Sequence, residues 1–237
     1  MGKALRSCRL VRLATLAALV LSLAVAGPAY AVTTDVIWDL GCVTQPLCQN
    51  TSYASPHTFT SLPPAPLYNL DVFGFNADNT THSLFSKFTP GDPSETGLGL
   101  QQGPENEIGP NGQYVDLIVP QDPALTNIFH LVVSSVQTPE VFNIFRSNAG
   151  AGAGSVVGPA LFANQTNTSP NCSNVTNTCT YDIDMTGFTT LAIQGISDDV
   201  LVETFTTQQT VRTPEAATLV LLGLGLFATG LARRRNV

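Results

Sequence analysis

Positive charge is nearly absent from the middle of this 237-residue chain. Ten residues are lysine or arginine, and seven of them crowd the ends: Lys3, Arg6, Arg9 and Arg12 at one, Arg233, Arg234 and Arg235 at the other. Between residues 32 and 212 only Lys87, Arg146 and Arg212 remain, against 16 acidic residues, a formal charge near −13. A surface of that sign argues against nucleic acid and anionic lipid as partners, and favours solubility or cations. Catalytic signatures are lacking too. There is no Gly-x-Ser-x-Gly elbow and no His-Glu-x-x-His pair, and His57, His82 and His130 are scattered. No Cys-x-x-Cys pair suggests zinc. The residues therefore assign no catalytic group. No 11-residue window of the middle segment carries a 3.6-residue apolar period, which leaves amphipathic helices out.

The two basic ends frame apolar runs. Leu13 to Ala26 follows the first cluster, and Ala29-Tyr30-Ala31 is a small-x-small cleavage site, so residues 1–31 read as a signal peptide and Val32 as the mature start. Export through the Sec machinery and signal peptidase is implied. Cys8 precedes the apolar run, so no lipid-anchor cysteine is present. At the other end, Ala216 to Ala232 is uncharged and Leu-rich. As a helix it spans roughly 26 Å at about 1.5 Å per residue, enough to cross a bilayer with slight thinning. Arg233, Arg234 and Arg235 would stop on the cytoplasmic side. Pro214 and Glu215 suit the first turn, one needing no N–H partner and the other facing the positive end of the helix dipole.

This motif, membrane helix and basic tail over residues 213–237 resemble the PEP-CTERM sorting signal of Gram-negative bacteria. Pro214 and Glu215 match the first two motif positions, and Ala216 stands where a second proline is usual. Leu221 to Leu226 and the three arginines match closely. The resemblance implies an inner-membrane intermediate and recognition by an exosortase, a membrane cysteine protease. Cleavage near the motif and transfer to the cell surface or extracellular space would follow. It also implies an exopolysaccharide or biofilm setting, with polysaccharide as a partner.

Four cysteines fall in the exported segment: Cys42, Cys48, Cys172 and Cys179. An even count in an oxidising compartment predicts disulfides. Spacing suggests two local bridges, each contributing about 2 kcal/mol on the chain-entropy view, although three pairings are available. Short alternating or apolar runs recur every eight to fifteen residues with turn signals between them. They include Val36–Leu40, His57–Leu62, Leu67–Phe75, His82–Phe88, Tyr114–Val119, Ile128–Val136, Tyr181–Met185 and Val200–Phe205. This predicts an all-β, antiparallel β-sandwich or jelly roll over residues 32–206, followed by a polar stalk at 207–212. Gly150 to Gly154 reads as a flexible break and the Asn/Thr-rich stretch from Asn164 to Thr180 as a loop or hairpin tip.

Glu105, Asn106 and Glu107 are candidate oxygen ligands for Ca²⁺, with Asp92, Asp116 or Asp122 able to complete a site if the fold brings them near. The alternative is that Asn106 turns the chain and the carboxylates are solvated. Asp182-x-Asp184-x-Thr186 spells a phosphoryl-transfer pattern, but alternation puts both aspartates on the solvent face of a strand late in an all-β chain. Gly97-Leu-Gly-Leu100, Glu105-Asn-Glu-Ile108, the Tyr114–Val119 strand and Leu191-Ala-Ile-Gln-Gly195 resemble segments of PEP-CTERM surface proteins. The resemblance implies jelly-roll sandwiches mostly without assigned activity. The expectation is a non-enzymatic exported surface or matrix protein. A calcium-dependent carbohydrate-binding module is the alternative. A glycan-active enzyme built on a carboxylate pair is third.

Overall fold

A computed structural model describes residues 31–64, 66–102, 106–197 and 199–212. The expected signal helix with Ala29, the membrane helix 216–232, Pro214, Glu215, Ala216, Arg233, Arg234, Arg235 and the ligand candidate Glu105 lie outside the described residues. Ala31 and Val32 open the first strand. Thr34–Gln209 make up one compact unit; of the other unit, 31–33 and 210–212 are described.

Apart from two 3-10 turns, every described element is a strand. In chain order they are β1 Ala31–Asp39, β2 Thr51–Tyr53, β3 His57–Thr60, β4 Asn69–Phe75, β5 Thr81–His82, β6 Leu84–Lys87, β7 Gly97–Leu100 and β8 Tyr114–Ile118. Then follow β9 Leu125–Ser134, β10 Val141–Ser147, β11 Phe162–Gln165, β12 Cys172–Ser173, β13 Thr178–Asp184, β14 Thr190–Ser197 and β15 Leu201–Arg212. One sheet has the order β12-β13-β9-β15-β7-β6-β2, with β1 also on β15; the other runs β11-β10-β14-β8-β4-β3, with β5 on β4. From β7 to β10, and again from β13 to β15, each strand lies in the opposite sheet from the one before it.

Period-two alternation explains how these strands build one core. In β13, Cys179, Tyr181 and Ile183 are buried while Thr180, Asp182 and Asp184 face water. Phe129, Leu131 and Val133 of β9 join Leu70 and Val72 of β4, Val115 and Leu117 of β8 and Ile193 of β14 in a single apolar cluster, so the two sheets share an interior. Phe205 is a fully buried member of it. It stacks on Phe129 at 4.9 Å and lies 5.8 Å from Trp38, whose indole N–H donates to the Tyr68 carbonyl at 3.0 Å. The last bond satisfies the one polar atom of a fully buried ring.

One expectation changes and one is met. Residues 207–212, expected as a stalk, are the second half of β15. Thr207 and Gln209 are buried there, and Thr207 donates its hydroxyl to Ile128 O at 2.8 Å. Polar side chains read as a linker because burial against β9 cannot be seen locally. The cysteines form the two local bridges, Cys42–Cys48 and Cys172–Cys179. Cys172 and Cys179 are direct register partners on β12 and β13, and the Asn/Thr-rich stretch is the hairpin they close.

Truncating Phe205 leaves a hole between both sheets. Phe205→Ala is expected to cost about 3–5 kcal/mol, measured by chemical denaturation.

Candidate functional site

Gly97–Leu100, residues 106–109 and Leu191–Gly195 meet at one place. Ile108 bridges Val200 through two backbone bonds of 2.8 and 3.2 Å. On either side the chain presses on glycine. A Cβ on Gly99 of β7 would lie 2.4 Å from Asn106 O and 2.5 Å from Glu107 Cα. A Cβ on Gly195 of β14 would lie 2.4 Å from Gly109 O and 2.7 Å from Ile108 O. Only glycine fits where backbone crosses backbone this closely. Asn106 turns the chain at φ 54°, a conformation asparagine tolerates.

That crossing delivers Glu107 to Lys87. Lys87, on β6, places its ammonium against Glu107 and 2.6 Å from Glu95 Oε2. Glu95 also accepts from Gln137 Nε2 at 2.7 Å and Ser135 Oγ at 3.2 Å. The Glu107 side chain is only 3% exposed. Its burial raises the carboxyl pKa against the opposing pull of Lys87. Burial works to lower the Lys87 pKa, but its bonds to Glu107 and Glu95 outweigh that and raise it.

Of the three residues expected as calcium ligands, the structure describes Asn106 and Glu107. Glu105 lies outside the described residues, Asn106 serves the turn, and an ammonium stands where a cation would sit beside Glu107. Of the alternative expectation, Asn106 does turn the chain, while Glu107 is buried rather than solvated. Asp92 caps its own turn at Ser94 N (3.1 Å) and Asp122 does the same at Ala124 N (2.8 Å). Among the described residues no three His, Cys, Asp or Glu side chains form a metal-binding group. Sequence reasoning missed Lys87; its being one of three bases in the exported segment was the available signal.

Asp116 lies on β8 and is fully buried. Its neighbours Val115 and Leu117 fill the core, so it points to the outer face of its sheet, where the Gly152–Ser155 turn covers it. Gly152 N–H donates to it at 2.8 Å and the buried Ser155 hydroxyl at 2.7 Å. The expected flexible break at Gly150–Gly154 is thus tied down by a carboxylate. Burial pushes the Asp116 pKa up to about 6, with the Gly152 and Ser155 bonds opposing. Asp182 and Asp184 do face solvent, as alternation implied; Asp182 is 70% exposed and contacts His130, its register partner, which is 45% exposed.

Comparison with known families decides what the tail is. A family model described as the PEP-CTERM protein-sorting motif matches residues 212–235. The chain carries a PEP-CTERM sorting signal. No curated protein matches the chain. The PEP-CTERM match includes Pro214, Glu215, Ala216 and the three arginines, and begins at Arg212, the last residue of β15.

Two outcomes are expected. Lys87→Met strands Glu107 in the interior and should cost about 3–5 kcal/mol by denaturation, most of it recovered in Lys87→Met/Glu107→Leu. Asp116 holds its proton more tightly folded than unfolded, so its contribution is full below pH about 4 and is lost as pH rises through about 6. Melting temperature should fall across that window, and Asp116→Asn should flatten the fall.

Proposed function

We propose that this is an exported protein sorted to the cell surface or extracellular matrix by an exosortase, with its β-sandwich as a non-catalytic structural or binding body in an exopolysaccharide setting. The PEP-CTERM motif at residues 212–235 carries this reading. Sorting through an inner-membrane intermediate follows from the apolar run and triple arginine inside that match. Signal-peptide cleavage between Ala31 and Val32 fits the N-terminal pattern. Two disulfides suit an oxidising compartment, and the strong acidic excess suits solubility outside the cell. The passage of successive strands between sheets favours a jelly-roll topology over a simple meander.

Carbohydrate binding is the second reading, favoured by an aromatic cleft at one edge of the sandwich. A calcium-dependent form of it needs oxygen ligands other than Glu107.

In the native host, Pro214→Ala and Glu215→Ala should hold the full-length protein in the membrane fraction, seen by immunoblot against released wild type. Unchanged release of both variants refutes exosortase processing.

A further inference from the structure

β2 and β3 are the last strands of their respective sheets, and residues 54–56 join them, so they close one edge of the sandwich. Their aromatic side chains meet there. Tyr53 stacks on His57 with centroids 4.1 Å apart and planes at 28°. Phe59 meets Tyr53 at 5.6 Å and His57 at 4.8 Å, edge to face in both cases. Phe59 is buried and belongs to the core, while Tyr53 and His57 are half-buried. The cluster is thus rooted in the interior and open at its top.

A cleft of about 230 Å³ runs over these rings. Asp39, Gln45, Thr58 and Thr60 line the rest of it. The disulfide loop is held in place beforehand. Asp39 accepts from Val43 N at 2.9 Å and Thr44 N at 2.7 Å, Cys42 and Cys48 close the turn, and the Tyr53 hydroxyl donates to Cys48 O at 3.2 Å. Rings that are already ordered lose little further freedom when a ligand arrives.

The chemistry narrows the ligand. Aromatic faces carry negative quadrupole and attract polarised C–H groups, while amide, hydroxyl and carboxylate groups on the rim exchange hydrogen bonds with hydroxyls. One carboxylate and no lysine or arginine line the cleft, which disfavours anions. Burial lowers the His57 pKa, which disfavours its charged form. A sugar ring has both an apolar C–H face and a girdle of hydroxyls. We infer that this cleft binds one hexose unit of an uncharged polysaccharide, with the open face of the Tyr53–His57 stack as the platform and Gln45, Thr58 and Thr60 as the polar rim. This deepens the exopolysaccharide reading above and rests on it for the setting alone.

The test uses full-length protein in a non-glycosidic detergent, run by affinity electrophoresis through gels containing β-glucan, mannan, galactan or the acidic polymer alginate. At least one neutral polymer should retard the protein and alginate should not. His57→Ala and Gln45→Ala should each weaken retardation tenfold or more, Gln45→Ala at unchanged melting temperature; Gln45 is exposed on the loop, so its loss spares the fold. EDTA should have no effect. The assignment is overturned by retardation on no neutral polymer, by retardation that both variants retain, by preference for alginate, or by loss on EDTA. Sorting is read separately. Normal release without sugar binding refutes the cleft alone, and sugar binding without release refutes the exosortase reading alone.

Discussion

The close crossing of residues 106–109 over Gly99 and against Gly195 is the constraint on which most of this domain depends. It brings strands of both sheets against one short segment, because β7 belongs to one sheet and β14 to the other. A side chain at either glycine would push that segment away and take with it the Ile108–Val200 bridge and the Glu107 carboxylate. The partner of that carboxylate is then decided by what lies beneath, and Lys87 is there. A charge pair so poorly hydrated contributes little net stability, yet each member is costly without the other. Its effect is to fix which chain segment lies over which strand.

The scarcity of bases takes on structural meaning here. Of the three in the exported segment, Lys87 is spent inside the fold and Arg146 lies over the Phe188 ring at 4.4 Å. The outer surface is left acidic almost without relief. Two carboxyls, Asp116 and Glu107, are buried in settings that favour their protonated forms. The sandwich therefore has two independent reasons to tighten in mildly acidic surroundings: less mutual repulsion outside and less unfavourable burial inside.

Most of the strands were legible because their signal is local. Tyr181–Met185 alternates in the sequence and alternates in burial, and Cys172 and Cys179 are close enough in the chain for spacing alone to suggest their bridge. What stayed hidden depends on contacts distant in sequence. Asp116 looks like any outward residue until a turn some 36 positions later covers it. Thr207 looks like linker until Ile128, 79 positions earlier, accepts its hydroxyl. The Tyr53–His57 stack is near in sequence, but its value lies in joining the edges of two different sheets, which strand patterns do not state. The tail was the most legible part of all, since an uninterrupted apolar run between an acidic motif and three arginines needs no partner elsewhere to be recognised.

β15 continues to Arg212, where the match to the sorting signal begins. A product cut just beyond that point would end on β15 itself. The released product would finish in a strand whose Thr207 and Gln209 are already packed away, a poor foothold for the exopeptidases that trim loose ends outside the cell.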